Sequence, residues 1–440
     1  MSIDTLIPQI KEVSSYKHYG KVSQVVGLMI ESKGPQASVG DLCFIIVGKK
    51  QRRKILVEVV GFRNQHVLLM PFERVDEIAP GSLVETNNQP LQIKVGSGLI
   101  GNALDSLGRP FDGSDVPGGA QPVSTDNPPP NPLSRPRIST PLTMGVKAID
   151  GLFSVGKGQR MGIFAGSGVG KSTLMAMIAK NSDADVNVIA LIGERGREVR
   201  DFIERDLGPK GMENTIVIVA TSDQPALMRI KGAMTATAIC EYFRDQGLNV
   251  TLMMDSVTRV AMAQREIGLA IGEPPTTKGY TPSVFALLPR LLERSGTNEA
   301  GSITAFYTVL VDGDDMNEPI ADSVRGILDG HLVLDRKLAN KGHFPAIDVL
   351  TSISRVMNDI VSEEHRQTAD YIRNMLATYH DSEDLINIGA YKKGSNKEVD
   401  EAIKKYPEIM AFLKQSLDES DGFSKTVKLM QGLFGKGGKG

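Results

Sequence analysis

Cysteine is scarce in this sequence, and the two residues present, Cys43 and Cys240, lie far apart in a chain of 440 residues. Two distant cysteines argue against a disulfide framework and against a structural zinc site. The six histidines do not repeat at metal-ligand spacing either, and they stand at His18, His66, His331, His343, His365 and His380. The sequence therefore gives no sign of a fold built around cross-links or a zinc ion.

Long apolar runs and a large net charge are also missing. No apolar run approaches the ~18 residues that a membrane-spanning helix needs. The first residues, with Asp4 among them, do not read as a signal peptide. The formal net charge of −2 demands no nucleic-acid partner. With 41% hydrophobic and 23% charged residues the composition is that of a globular protein, which we expect in the cytoplasm.

The pattern of apolar residues divides the chain into three predicted domains. Residues 1–92 contain short β-branched runs between turns, which is typical of a small β-barrel. Residues 93–360 include a proline-rich connector at 117–141, expected to be extended because proline disfavours helix. Residues 361–440 have helical periodicity.

Apolar runs of strand length alternate with helical patterns in the second region. This alternation predicts a parallel sheet flanked by helices on both faces, and hence an α/β fold class overall. The runs lie at 161–164, 186–192, 215–220, 250–254, 303–311 and 332–334.

A glycine-rich loop carries the clearest chemical signal. Residues 165–172 read AGSGVGKS between a predicted strand and a predicted helix. Glycines let backbone N–H groups face phosphates, Lys171 can reach the β- and γ-phosphates of ATP, and the Ser172 hydroxyl can ligate Mg²⁺. Ala165 replaces the first glycine of the strict pattern, and the turn tolerates its methyl. The loop predicts a P-loop (RecA-like) core whose nucleotide contacts are Gly166, Ser167, Gly168, Val169, Gly170, Lys171, Ser172 and Thr173.

Two carboxylates follow predicted strands of this core. Asp255 ends the run at 252–254, at the edge of a parallel sheet where ligands bind, and can hold Mg²⁺ directly or through water. The same residue could instead cap the next helix, and the two roles are compatible. Glu194 follows another strand and is the candidate base that polarises the attacking water. By spacing alone it stands only slightly ahead of Glu198.

Further segments resemble one superfamily. Residues 192–198, IGERGRE, resemble the catalytic-glutamate segment of rotary ATP synthases and type III export ATPases. PAID at 345–348 followed by SISR at 352–355 resembles the signature that precedes their arginine finger. The match covers essentially the whole chain, and three other segments make it most similar to the flagellar protein export ATPases. Those segments lie at 27–35, 221–227 and 387–391.

The resemblance implies roles for individual residues. It makes Glu194 the water-activating glutamate, and Arg355 the finger that reaches the neighbouring subunit's site. Phe344 would stack on adenine, and Tyr391 would approach the base as well. From the residues alone, Arg355 could also be a surface arginine in a salt bridge, although its Ser-Ile-Ser-Arg context argues against this, and Phe344 could be a core ring.

The resemblance also implies partners and a place of action. The chain would form a homohexamer that binds a FliH-like regulator, a FliJ-like central stalk protein, the export gate at the membrane and export chaperone–substrate complexes. It would act at the inner face of the cytoplasmic membrane, at the flagellar base. The segment at 1–11, with apolar residues on one helical face, would bind the regulator, pack on its own barrel or contact a membrane surface.

Three other functions compete with flagellar export. A virulence secretion ATPase shares the chemistry and differs only in the less specific segments. A non-catalytic subunit of a proton-coupled rotary ATPase would lack Glu194. An RNA translocase would cluster aromatic and basic residues on the barrel, whereas the only compact basic run there is 52–54.

Overall fold

The computed structural model describes residues 18–48, 52–73, 77–116, 119–311, 313 and 315–435. The predicted amphipathic segment at 1–11 lies outside these residues. Among the helices that are described, none is long and apolar enough to cross a membrane.

The strands are numbered in chain order. They are β1 (Tyr19–Val26), β2 (Met29–Lys33), β3 (Leu42–Val47), β4 (Arg53–Arg63), β5 (His66–Pro71), β6 (Leu83–Thr86), β7 (Gln92–Val95), β8 (Ala103–Asp105), β9 (Gln121–Ser124), β10 (Pro141–Leu142), β11 (Val155–Gly156), β12 (Arg160–Ala165), β13 (Val186–Ile192), β14 (Thr215–Ala220), β15 (Asn249–Asp255), β16 (Gly296–Thr297), β17 (Ser302–Leu310), β18 (Gly330–Leu334) and β19 (Ile347–Ser354).

The α-helices follow the same convention. They are α1 (Lys147–Leu152), α2 (Lys171–Asn181), α3 (Gly196–Asp201), α4 (Gly208–Met212), α5 (Ala226–Asp245), α6 (Val257–Ile271), α7 (Pro282–Leu292), α8 (Pro319–Ile327), α9 (Arg336–Asn340), α10 (Met357–Ile360), α11 (Glu363–Asn387), α12 (Lys397–Leu413) and α13 (Phe423–Phe434). A π-helical turn at Phe202–Leu207 joins α3 to α4.

Strands β1 to β6 close into a small barrel with the spatial order β1-β2-β5-β4-β3-β6. Alternate residues of each strand face inward, and apolar side chains such as Val22, Ile45 and Val57 fill the interior. A buried ion pair of 2.7 Å joins Glu58 of β4 to Lys231 of α5. This pair fixes the barrel to the domain that follows it.

The central sheet has the order β19-β18-β12-β17-β15-β13-β14-β8, with β16 pairing to β17. Neighbours from β18 to β8 along this path are parallel, and β19 joins antiparallel to β18. Successive residues of β13 enter different apolar layers, since Val188 and Ala190 belong to one and Ile189 to the other. The sheet is therefore buried on both faces, and the carboxyl ends of its parallel strands meet at one edge.

Two predicted helical faces meet in the C-terminal region. Ile372 and Met375 of α11 are buried, as is Ala402 of α12. The rings of Tyr379 and Tyr406 stack between the same two helices, with centroids 3.8 Å apart. Barrel, parallel sheet and helical end together confirm the predicted fold class, whereas the predicted domain boundaries stay predictions.

Two parts of the sheet differ from the sequence pattern. The first is β8, which reaches the central sheet from before the proline-rich stretch. The second is β19, an antiparallel edge strand in which buried and exposed residues are mixed. Within the connector at 117–141, β9 pairs with β7 and β10 pairs with β11, so this stretch is partly held in short two-stranded sheets.

Candidate functional site

The glycine-rich loop joins the end of β12 to the start of α2. Gly168 and Gly170 have φ of +75° and +91°, a left-handed backbone that other residues adopt only at a cost. Gly170 stands at the N-cap of α2, where it has no side chain to cap the helix. The N–H groups of the first turn thus point toward the loop mouth together with the positive end of the helix dipole. This is a cradle for an anion such as a phosphate.

The loop borders a cleft of about 720 Å³ at the carboxyl edge of the sheet. Val169, one of the predicted contacts, is buried and does not line this cleft. The other predicted contacts, together with Glu194, all line the cleft, and they are Gly166, Ser167, Gly168, Gly170, Lys171, Ser172 and Thr173. The structure thus brings the predicted phosphate-binding residues and the predicted base into one space.

Lys171 lies between two carboxylates at the foot of this cleft. Its Nζ is 2.5 Å from Oδ1 of Asp255 and 3.7 Å from Oε1 of Glu194. Asp255 is only 2% exposed, and its Oδ1 also accepts a hydrogen bond of 2.8 Å from Thr308. The positive charge of the lysine therefore offsets the cost of burying the Asp255 carboxylate. A phosphate that entered the cleft would interact with the same positive charge.

Glu194 has a strongly perturbed acidity. Burial raises its pKa to about 7, and the negative charge of Asp255 and a hydrogen bond with Glu198 act in the same direction. Lys171 opposes them. A carboxylate that titrates near neutral pH is suited to accept a proton from water.

The oxygen groups of the site suit Mg²⁺. Ser172 lines the cleft, and the Asp255 carboxylate is bonded to Lys171, which lines it as well. Both are hard oxygen donors of the kind that magnesium prefers, and the ion normally completes its shell with water and substrate phosphates. Among the described residues, no group of three or more His, Cys, Asp or Glu side chains could hold a metal by themselves. The chain thus offers one or two ligands rather than a complete cage.

A second cleft, of about 480 Å³, adjoins the first and shares Gly170 and Thr173 with it. Phe344 lines this cleft, and its ring carbons lie 3.2 Å from where a Cβ on Gly170 would stand. The aromatic ring is thus placed where the base of a nucleotide would lie if its phosphates occupied the loop.

Tyr391 is not brought to this cleft. It is absent from the described residues that line it, and its hydroxyl donates to the carbonyl of Asn396 at 2.9 Å. Asp400 lies 3.1 Å from the same hydroxyl. The side chain therefore ties the loop before α12, and a contact with the base stays a prediction that this geometry does not support.

Arg355 lies away from the phosphate cleft of its own chain. It directly follows the edge strand β19, its side chain is exposed, and it lines a different cleft beside α11. Its backbone N–H donates to the carbonyl of Asp329 at 3.0 Å, which fixes the turn after the strand. Within one chain the arginine therefore cannot be assigned to the Lys171 site.

Sequence reasoning gave no role to Arg259, which also lines the phosphate cleft. Its side chain packs so closely on Gly193 that a Cβ there would lie 2.8 Å from the arginine Cβ. Ser256 caps α6 by accepting from the N–H of Arg259, which places the arginine one turn after Asp255. In the sequence, the only indication that Arg259 lies at this cleft is its position four residues after the strand-end residue Asp255.

Family models match three consecutive parts of the chain. The beta-barrel domain of the ATP synthase alpha/beta family matches residues 22–87, and its nucleotide-binding domain matches residues 145–354. The T3SS EscN ATPase C-terminal domain matches residues 361–432. The first matched segment corresponds to the barrel, and the second contains the described strands of the central sheet except β8.

Full-length relatives agree with this assignment. The flagellum-specific ATP synthase of Bacillus subtilis is 63% identical, with 99% of each chain covered. The type 3 secretion system ATPase of Xanthomonas euvesicatoria is 49% identical, with 97% of this chain and 96% of the relative covered. The solved structure of assembled EscN in complex with its central stalk EscO, from enteropathogenic E. coli, superposes with a TM-score of 0.86. It is 45% identical and covers 94% of this chain and 100% of its own. The chain belongs to the ATP synthase alpha/beta family and, within it, to the flagellum-specific ATP synthases.

Proposed function

We propose that this chain hydrolyses ATP to energise the export of flagellar proteins through a type III apparatus. The observation that carries the proposal is the position of Lys171 between Asp255 and Glu194, at 2.5 and 3.7 Å. A subunit that only binds nucleotide has no need of a carboxylate of raised pKa beside the phosphate site. The 63% identity with a flagellum-specific ATP synthase supports flagellar export as the process served.

Each group has a defined task in the reaction. The loop N–H groups and Lys171 bind the β- and γ-phosphates. Ser172 and Asp255 would hold Mg²⁺, the aspartate directly or through water, and the bound ion would neutralise phosphate charge. Glu194 orients a water in line with the γ-phosphorus and accepts its proton as the new P–O bond forms and the bond to ADP breaks.

Arg355 completes the site from a neighbouring subunit. In one chain it lines a cleft that has no residue in common with the phosphate cleft. A head-to-tail ring of identical subunits would bring the arginine of each chain to the Lys171 loop of the next. We take the ring to be a homohexamer, and the solved relative described as assembled supports a ring.

The proposal extends to partners and location. The solved EscN is in complex with a central stalk, EscO, and a FliJ-like stalk protein would take the corresponding place here. A FliH-like regulator, the export gate and export chaperone–substrate complexes are the other expected partners. The chain would act in the cytoplasm, against the inner face of the membrane at the flagellar base.

A virulence secretion ATPase is the second candidate, because a type 3 secretion system ATPase is 49% identical over 97% of the chain.

The surface of the barrel gives little support to nucleic-acid translocation. Arg53 and Lys54 of its basic run form ion pairs of 2.8 Å with Glu73 and Glu85, which lowers the positive potential that a phosphate backbone would meet.

Replacement of the endogenous flagellum-specific ATPase in Bacillus subtilis tests the process served. We expect the chain to restore swimming and flagellin export, and the Glu194→Gln variant to restore neither at equal protein level. A chain that hydrolyses ATP in vitro but restores export only in a strain lacking its virulence secretion ATPase would overturn the flagellar assignment. Sizing the purified protein with and without a non-hydrolysable Mg-ATP analogue tests the hexamer.

A further inference from the structure

The cleft beside Phe344 has walls from two different domains. One wall belongs to the nucleotide-binding domain and includes Gly170 and Phe344. The other wall is the segment 414–419, which follows α12 in the helical domain and contributes five of its residues. A base held in this cleft would therefore be enclosed only while the helical domain keeps this segment in place.

Gln415 is buried at 4% exposure and joins the two walls. Its backbone N–H donates to the carbonyl of Phe344 at 2.9 Å. Its side-chain Nε2 donates to the carbonyls of Gly145 at 2.8 Å and Glu419 at 2.7 Å. Its Oε1 accepts from the N–H of Lys147 at 2.8 Å. The glutamine thus bonds to the nucleotide-binding domain at three places.

These bonds decide what Gln415 can do. A side-chain amide has two N–H donors, and both are engaged with carbonyls of the protein. The oxygen already accepts from a backbone N–H. The amide is therefore committed to the protein, and its role is to hold the segment rather than to read the base.

Lys147 attaches the same segment at a second point. Its side chain, at the start of α1, forms an ion pair with Glu419 and lies 4.0 Å from Asp421. The lysine is largely buried, so removal of its charge would deprive Glu419 of its ion-pair partner, whereas Asp421 would keep its pair with Lys425. Backbone and side chain of one residue thus hold both ends of the pocket wall.

We propose that Gln415 is a positioning residue that keeps the cleft beside Phe344 closed. Affinity for the base of ATP then depends on how the helical domain is held against the nucleotide-binding domain. This rests on the proposed function, because it takes ATP as the ligand of the adjoining phosphate cleft. Without its side-chain bonds to Gly145 and Lys147, Gln415 is tied to the nucleotide-binding domain only by its backbone bond to Phe344, and the segment 414–419 can shift. The base then has a looser wall on one side, while the phosphate contacts of the loop remain.

The test compares two ligands on the full-length protein by isothermal titration calorimetry. One ligand is Mg-ATP and the other is Mg-tripolyphosphate, which carries the phosphates without a base. For Gln415→Leu we expect Mg-ATP affinity to fall about tenfold, the scale of one or two net hydrogen bonds, and tripolyphosphate affinity to stay within about twofold. In steady-state hydrolysis KM should rise by a similar factor with kcat little changed, because the base is bound equally in ground and transition states.

The matched control is Asp418→Asn, an exposed position of the same segment that does not line the cleft. We expect it to bind both ligands as the unmodified protein does. If Gln415→Leu weakens both ligands equally, or neither, the positioning role is overturned. An unmodified protein that binds neither ligand contradicts the proposed function instead, so the two failures are distinct.

A second variant covers the case in which Gln415→Leu does not fold, as judged by circular dichroism. Lys147→Met keeps the backbone N–H that donates to Oε1 of Gln415 and removes only the side-chain cation. We expect the same selective loss of Mg-ATP affinity over tripolyphosphate, of smaller size. An unchanged ratio of the two affinities in a folded Lys147→Met protein would contradict the proposal.

Discussion

Lys171 Nζ lies 2.5 Å from Oδ1 of Asp255, so the cation of the phosphate loop is paired with the carboxylate at the end of β15. In the proposed reaction, the pair connects the residue that would bind phosphate to the residue that would bind Mg²⁺. Because Asp255 is buried, removing its cation leaves a buried charge without its ion-pair partner, which is destabilising. Changes at either residue should therefore affect binding and chemistry at once.

Lys171→Ala should abolish hydrolysis and weaken ATP binding. The variant loses a charge that contacts the phosphates in the ground and transition states, and loss of one such donor costs about 10²–10³ in rate. Phosphate release and fluorescent-nucleotide binding measure the two effects. Lys210→Ala, an exposed lysine of α4, is the matched control and should behave as the unmodified protein. Unchanged turnover in Lys171→Ala would refute the phosphate-loop interpretation.

Glu194→Gln should bind ATP yet hardly turn it over. The amide keeps the size of the side chain but cannot accept the proton of the attacking water, and loss of a positioned base lowers rates by about 10²–10⁴. Single-turnover hydrolysis separates the chemical step from binding. Glu198→Gln, one turn away and more exposed, should keep turnover within about threefold. Near-normal turnover of Glu194→Gln would exclude it as the base.

The pH dependence of kcat/KM should report the acidity of Glu194 in the free protein. Its pKa is raised to about 7, so the ionised form that acts as base is lost as the pH falls below that value. We expect kcat/KM to fall about tenfold per pH unit below the inflection. Glu198→Gln should move the inflection to lower pH, because hydrogen bonding and charge from Glu198 help to raise the pKa of Glu194. A flat profile between about pH 5.5 and 8 would contradict this assignment.

The sequence predicted best those elements whose residues are constrained on every side. Strands β13 and β14 appear with their predicted bounds because each is buried on both faces and reads as a continuous apolar run. The phosphate loop was equally predictable from the sequence, because the left-handed backbone at positions 168 and 170 favours glycine, and both residues are glycine. In these places local composition and tertiary burial carry the same information.

The elements that the sequence did not predict depend on contacts far along the chain. Strand β8 has only three residues, too few for a periodic signal, and exists because β14 offers an unpaired edge. Gln415 looks like any polar residue after a helix. Its role comes from carbonyls near Gly145 and Phe344, which are distant in sequence. A hydrogen bond to a remote backbone atom leaves no trace in residue spacing.

Arg355→Ala should reduce turnover while leaving the subunit folded. The residue is exposed after the edge strand β19, so its removal costs little stability, whereas a finger that stabilises transition-state charge is worth about 10³–10⁵ in rate. Arg355→Lys should recover little, because the lysine lacks the planar fork of donors. Circular dichroism and steady-state hydrolysis measure stability and rate.

Mixing two inactive variants tests whether the finger acts between subunits. An interface in which an Arg355→Ala subunit supplies Lys171 and a Lys171→Ala subunit supplies Arg355 has both groups intact. In rings assembled at random from equal amounts, about a quarter of the interfaces are of this kind, so activity should return to about that fraction. Each variant alone stays inactive at the same total concentration. A mixture of proteins that form rings yet recover no activity would show that Arg355 does not act on the neighbouring site.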